Sequence, residues 1–240
     1  MSSASSSRRP SRASLAASCV ALALLCWTGE ARAEAGGASV PAAGHISWAQ
    51  VAVRAKPSRT AARTTVLTQF RSDFRPRVVL AVGVRRDGRG QPAWYRISLP
   101  GRPNGRTGWV PAASVEVKPI RKEIVIDLSE RTLELRDTGR VVLHTSVAIG
   151  AYGMETPLGR FYVVAKFRPN APVLGAFAFE TSAYSKLSEW PGGGIVGLHG
   201  TNTPSLLGQA VSHGCVRVAN GAILRLKNLV PVGTPITIVA

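Results

Sequence analysis

Gly197-Leu198-His199-Gly200-Thr201-Asn202 and, after an interval of eight residues, Val211-Ser212-His213-Gly214-Cys215-Val216-Arg217 form the densest polar stretch of the 240-residue chain. Two of the four histidines, an arginine and one of the three cysteines fall within the nineteen residues from His199 to Arg217. A thiol becomes a good nucleophile when an imidazole or a cation stabilises its thiolate, and histidine takes and returns a proton near neutral pH. Gly200 and Gly214 let main-chain amides approach a reacting carbonyl, where an oxyanion needs donors. The stretch points to covalent catalysis by Cys215 with a histidine as its base. Spacing alone does not choose the histidine: His213 lies two residues from Cys215, which puts the pair on one face of a strand but not of a turn.

Outward from this stretch the flanks read as β-structure. Residues 124–128, 132–135 and 141–149 alternate apolar and polar positions around a turn at Asp137-Thr138-Gly139, the pattern of a β-meander. Thr156-Pro157-Leu158-Gly159-Arg160 reads as a turn into a strand over 161–166. One helix is predicted late, with Asn220 as its cap, Ile223, Leu226, Leu229 and Val230 at helical spacing, and Pro231 as its stop. A last strand covers 235–239.

With the motif in place, residues 122–240 closely resemble the L,D-transpeptidases, the YkuD-type catalytic domain. The resemblance rests on His-Gly-Thr-Asn at 199–202, Ser-His-Gly-Cys-Val-Arg at 212–217, the sixteen-residue step from His199 to Cys215, Thr156-Pro157-Leu158-Gly159, and the closing Val230-Pro231-Val232-Gly233-Thr234-Pro235-Ile236. It implies Cys215 as nucleophile and His199 as proton acceptor and donor. By the same resemblance His213 and Gly214 shape the nucleophile loop and oxyanion site, and Ser212 supports that loop. Gly200 positions the His199 imidazole through its backbone, and Arg217 orients the loop or contacts a substrate carboxylate. The implied activity is cysteine transpeptidation of peptidoglycan stem peptides. An acyl-enzyme forms at an L-centre carbonyl, a terminal D-amino acid leaves, and an acceptor amine takes the acyl group to make a cross-link. Water as acceptor would make the protein an L,D-carboxypeptidase. No metal or organic cofactor is expected, since thiolate and imidazole supply the chemistry.

Other readings of these residues are weaker. His199, His213 and Cys215 as a metal site would lack a fourth ligand and the spacing of zinc sites. A sortase-like transpeptidase carries a different motif, and papain-like wall endopeptidases place their cysteine before their histidine, whereas His199 comes first here. His45 and His144 stand alone and read as structural. Residues 168–196, with Phe177, Phe179, Tyr184, Trp190 and a glycine run at 192–194, read as a long loop of the kind that forms lids. Tyr184 and Trp190 are its candidate substrate contacts, the alternative being that its aromatics pack the loop down.

The region before 122 has a different character. Residues 34–44 are mostly Ala, Gly and Pro, a flexible lead-in. Over 45–118 short β-prone runs at 51–54, 77–84, 94–99 and 108–110 alternate with Pro, Gly and Asp turns, indicating about five strands in a small barrel. Val53-Arg54-Ala55-Lys56-Pro57-Ser58, Trp94-Tyr95-Arg96-Ile97 and Gly105-Arg106-Thr107-Gly108-Trp109-Val110 resemble the bacterial SH3-like domain. That resemblance implies a module that binds wall peptides, with Trp94 and Trp109 read as core. Most of the chain's net charge of +17 lies here: residues 34–121 hold 15 Lys and Arg against 4 Asp and Glu. Such a surface attracts polyanions and weakens with salt. The chain has no basic recognition helix or finger spacing and few aromatics, so anionic wall polymers are the expected partner and nucleic acid is not. A solvated surface enriched in arginine is the plainer alternative. Together the two halves give a mainly β fold: an SH3-like barrel, then an L,D-transpeptidase-type β-sandwich with one short helix.

The first 33 residues read as a secretory signal: Arg8, Arg9 and Arg12, an apolar run over 15–27, and small residues in Ala31-Arg32-Ala33 at a cleavage site. The run is too short for a spanning helix, so no stable membrane span is expected after cleavage. Removal of Cys19 and Cys26 leaves Cys215 as the retained thiol in an oxidising compartment, the periplasm or cell wall. A contrasting reading of the whole chain is a non-catalytic wall-binding protein that works through its basic SH3-like module.

Overall fold

The computed structural model describes residues 39–189 and 192–240, so the leader segment lies outside the described residues. The first half is one antiparallel sheet of β1 (Ala42–Ile46), β2 (Gln50–Arg54), β3 (Arg63–Thr68), β4 (Val78–Arg86), β5 (Pro92–Ser98), β6 (Thr107–Pro111) and β7 (Val115–Pro119), ordered β3-β2-β6-β5-β4-β1-β7. Strands β2, β4, β5 and β6 fall on the four runs read from sequence, and β1, β3 and β7 bring the total to seven where about five were expected. Ala42 to Gly44 were expected in the flexible lead-in, yet they pair with both β4 and β7. Their small side chains are what that position requires, because a Cβ on Gly44 would overlap the Glu116 carbonyl. Strands from one end of the sheet to the other share one core, Ile46, Val53, Tyr95, Ile97, Val110 and Val115 among them, so the sheet must curl around it. Trp94 and Trp109 are not in that core. Alternation along β5 and β6 sends Tyr95, Ile97 and Val110 inward and leaves both tryptophans half-buried on the opposite face.

The second half contains β8 (Lys122–Asp127), β9 (Thr132–Asp137), β10 (Arg140–Gly150), β11 (Gly159–Phe167), β12 (Ala178–Tyr184), β13 (Ile195–His199), β14 (Ala210–Ser212), β15 (Val216–Val218), the helix α1 (Asn220–Leu229) and β16 (Pro235–Val239). Two long strands switch partners midway. β10 pairs with β9 through Arg140 to Ser146 and then with β15 through Val147 and Ala148; β11 pairs with β16 through Gly159 to Tyr162 and then with β12 from Val163 onward. Each therefore belongs to both layers and forms a corner of a closed β-sandwich. Ile124, Leu133, Leu135, Phe161, Phe179, Leu198, Val216 and Ile236 fill the interior, and Ile223 and Leu226 of α1 pack into the same core.

Two expectations need correction here. The segment 168–196 is not one loop: β12 runs through its middle and hydrogen-bonds to β11 and β13, with Phe179 fully buried. Its Ala178-Phe179-Glu180-Thr181 alternation was masked by aromatics and glycines on either side. Asn220 does not cap α1, which is preceded by Ala219 without a side-chain cap. Its Oδ1 instead accepts the Ala176 N–H at 2.9 Å, in a space that Gly175 and Gly200 leave free of side chains.

The two halves meet in a compact join. Leu80 of β4 packs with Tyr162 and Val164 of β11, and the Tyr162 hydroxyl donates to the Val78 carbonyl at 3.3 Å. Arg71, in the turn after β3, donates through one guanidinium nitrogen to both carboxylate oxygens of Glu180 on β12 at 2.8 and 2.9 Å. In the turn between β5 and β6, Arg102 donates to the carbonyls of Ser185 and Gly193, and Asn104 exchanges hydrogen bonds with both main-chain groups of Tyr184.

Candidate functional site

Registers of β12, β13 and β15 build the site. Ala178 pairs with His199 and Glu180 with Gly197, while His199 pairs with Arg217 and Leu198 with Val216. Paired residues share a face, so Phe179, Leu198 and Val216 form a row in the core and Ala178, His199 and Arg217 form a row on the outer side. One residue back along β15, Cys215 falls beside Gly197, and the Gly197 N–H donates to Cys215 Sγ at 3.3 Å. A Cβ on Gly197 would stand 3.6 Å from His199 Cδ2 and 3.7 Å from Cys215 Sγ, so imidazole and thiol converge on the space this glycine leaves open. They face a cleft of about 650 Å³, lined also by His213, Arg217, Glu180, Leu174 and Val173.

His199 is buried, and its Nδ1 lies 2.6 Å from the Gly200 carbonyl. With that carbonyl accepting, Nδ1 carries the proton and Nε2 is left as the base. Burial pushes the imidazole below its ordinary pKa and Arg217 adds to the fall, while the carbonyls of Gly200 and Leu174 act in the opposite direction. Burial likewise raises the Cys215 thiol, against the lowering effects of the Gly197 N–H and of Arg217. Both sets of surroundings thus favour the uncharged form of the group they enclose.

The turn carrying Cys215 is pinned from both sides. Ser212 Oγ accepts the Gly214 N–H at 3.1 Å and donates to the Cys215 carbonyl at 2.5 Å. Thr156 Oγ1 donates to the Gly214 carbonyl and accepts the Gly150 N–H, both at 2.9 Å. Gly214 has φ near 108°, in the region that favours glycine, and a Cβ there would press on Ser185. Its own N–H is taken by Ser212, so of the two parts expected of it the geometry displays loop support. Arg217 lines the cleft, and its buried Nε has no hydrogen-bond partner among the described residues.

Of the expected site residues, the fold brings together Cys215, His199, Gly200, Ser212, His213, Gly214 and Arg217. Tyr184 is not among them. It lies beneath Arg102, 5.0 Å from guanidinium to ring centre, in a separate depression bordered by Asn104, Pro157 and Lys186. β12 places it on the join between the halves, away from the cleft that holds Cys215. Trp190 falls outside the described residues. Sequence reading missed Thr156, Gly197 and Glu180. Thr156 entered as part of a turn and of the family resemblance, with no role at the site, and Glu180 lay inside the expected loop; strand register is the signal that exposes Gly197 and Glu180. Among the described residues no three His, Cys, Asp or Glu side chains gather to hold a metal ion.

The L,D-transpeptidase catalytic domain, of YkuD type, matches residues 121–238 of the chain. L,D-transpeptidase YkuD of Bacillus subtilis is 31% identical over 149 residues, covering 62% of this chain and 77% of the relative. L,D-transpeptidase ErfK/SrfK of Salmonella typhimurium is 30% identical over 156 residues, covering 57% of this chain and half of the relative. Among solved structures, the catalytic domain of an Enterococcus faecium L,D-transpeptidase aligns at 24% identity and a TM-score of 0.40, covering 49% of this chain and 95% of that one. An L,D-transpeptidase from Mycobacterium tuberculosis aligns at 15% identity and 0.45, covering 68% and 90%.

Proposed function

The chain belongs to the L,D-transpeptidase family, and from that premise we propose that it is an exported cysteine transpeptidase of peptidoglycan with Cys215 as nucleophile and His199 as base. The observation that carries this reading is the convergence of the thiol and the Gly200-oriented imidazole on the gap left by Gly197. Cys215 Sγ attacks the carbonyl that joins an L-configured residue to the terminal D-residue of a tetrapeptide stem, and the thiol proton passes to His199 Nε2. The Gly200 and Leu174 carbonyls favour the imidazolium so formed. The oxyanion develops at the turn of His213, Gly214 and Cys215. Collapse breaks the C–N bond, the D-amino acid leaves with the proton from His199, and a thioester remains. An acceptor amine from a second stem then attacks the thioester, gives its proton to His199, and releases the thiol as the new amide forms. Arg217, with its unpaired buried Nε, is suited to hold a carboxylate of the donor stem.

The leader-like first 33 residues support export to the periplasm or wall, and the basic first half supports contact with anionic wall polymers. Mass spectrometry of the purified protein with a carbapenem tests the mechanism. One covalent adduct is expected on the wild type and none on Cys215→Ala; an adduct that survives the substitution sinks the assignment. Muropeptide analysis of cells carrying either form separates cross-linking from carboxypeptidase action and from binding without turnover.

A further inference from the structure

The outer row beside the nucleophile runs from Glu180 on β12 and Gly197 on β13 to Cys215, immediately before β15. Gly197 contributes no side chain, so nothing in this row stands between the carboxylate and the thiol. At strand spacings of about 4.8 Å, the Glu180 and Cys215 backbones are about 10 Å apart. Glu180 is the carboxylate among the residues lining the cleft, whose other walls are largely apolar. It does not belong to the proton-transfer set around His199.

A carboxylate in such a cleft calls for a partner. Arg71 supplies one from the first half of the chain, with both side chains about one-fifth exposed. Arg71 is itself fixed: its main chain pairs with Arg75 and Phe74, and its Nε lies 3.5 Å from Asp73. One guanidinium nitrogen serves both oxygens of Glu180, which leaves lone pairs on the carboxylate for a further donor.

We propose that Glu180, positioned by Arg71, is a specificity residue that reads an ammonium group at the end of the third side chain of the donor stem. This rests on the transpeptidase reading above, which puts the carbonyl of that third residue at Cys215 Sγ. From its Cα, five single bonds of about 1.5 Å reach about 6 Å, which spans the gap over Gly197 toward Glu180. A neutral side chain of the same length offers the free lone pairs of the carboxylate no second donor and is disfavoured. Arg71 then makes the first half of the chain a contributor to substrate choice.

The test uses the full chain and two tetrapeptide donors, identical except for lysine or norleucine at the third position, with D-alanine release as the readout. The wild type is expected to favour the lysine peptide at least tenfold in kcat/KM. In Glu180→Gln that ratio is expected to fall toward one, and in Arg71→Met to fall part of the way. A wild-type ratio near one, or a ratio unchanged in Glu180→Gln, overturns the proposal while leaving the transpeptidase reading intact. Failure of the wild type to release D-alanine from either peptide overturns the transpeptidase reading itself, and this proposal with it.

Discussion

Thr156 Oγ1 and the Gly214 carbonyl, 58 residues apart in sequence, meet at 2.9 Å and tie the corner after β10 to the turn that carries Cys215. The same hydroxyl accepts the Gly150 N–H, so one buried side chain satisfies a main-chain donor and a main-chain acceptor. Thr156→Val keeps the shape and strands both partners. Expected costs are about 1–3 kcal/mol of stability and slower acylation of Cys215, with Thr156→Ser restoring most of each. Urea unfolding alongside carbapenem acylation rates checks this, and equal stability of the valine variant would refute it.

On the mechanism proposed above, the pH dependence of acylation follows from surroundings that favour the uncharged imidazole and thiol. His199 must be unprotonated to accept the thiol proton, and burial holds it below its ordinary 6.5. Activity is therefore fully present above that value and is lost as pH falls through the lowered one. Because the thiol is raised above its ordinary 9.0, the rate should not climb between pH 7 and 9. Acylation rates across pH 4–10 test both limbs. A tenfold rise per pH unit through 7–9 would mean that a free thiolate carries the reaction.

Gly197→Ala places a methyl in ordinary contact with the thiol and the imidazole, without overlap. The fold should persist, since no backbone strain is involved, but on the mechanism proposed above the methyl intrudes where the scissile carbonyl approaches the thiol. Turnover of a tetrapeptide donor is expected to drop about 10- to 100-fold, as displaced reacting groups commonly cause. Comparing melting temperature with D-alanine release distinguishes a blocked cleft from a damaged fold.

Asn104→Ala removes two hydrogen bonds to Tyr184 at the join. About 1–3 kcal/mol of stability is expected to go with them. Amide exchange in residues 184–189 should accelerate more than exchange in β13, whose hydrogen bonds to β15 lie deeper. Uniform acceleration through both segments would show that the join is not locally responsible.

The catalytic half was legible because its chemistry is contiguous: His199 to Arg217 spans three strand segments and a turn, and glycine, histidine and cysteine are unusual enough together to be noticed. The meander, the last strand and α1 followed from hydrophobic period. What stayed hidden depends on contacts distant in sequence. Thr156 matters through Gly214, Glu180 through Arg71, and Asn220 through Ala176, and no local pattern encodes those pairings. Strand β1 was missed for another reason: close approach by β7 demands small residues, and Ala-Ala-Gly is also the composition of a linker. Trp94 and Trp109 misled in the opposite sense, since size suggested core while the strand phase of Tyr95 and Val110 put them outside.

All four hydrogen bonds that Arg102 and Asn104 make across the join end on main-chain atoms, of Tyr184, Ser185 and Gly193. Apart from the Tyr184 ring, which lies under Arg102, this grip on the backbone does not depend on the side chains of residues 186–189. Residues 186–189 can therefore diverge in evolution, changing the character of that rim, while the two halves keep the same attachment. Insertions, which would move the carbonyls themselves, are the changes this attachment does not tolerate.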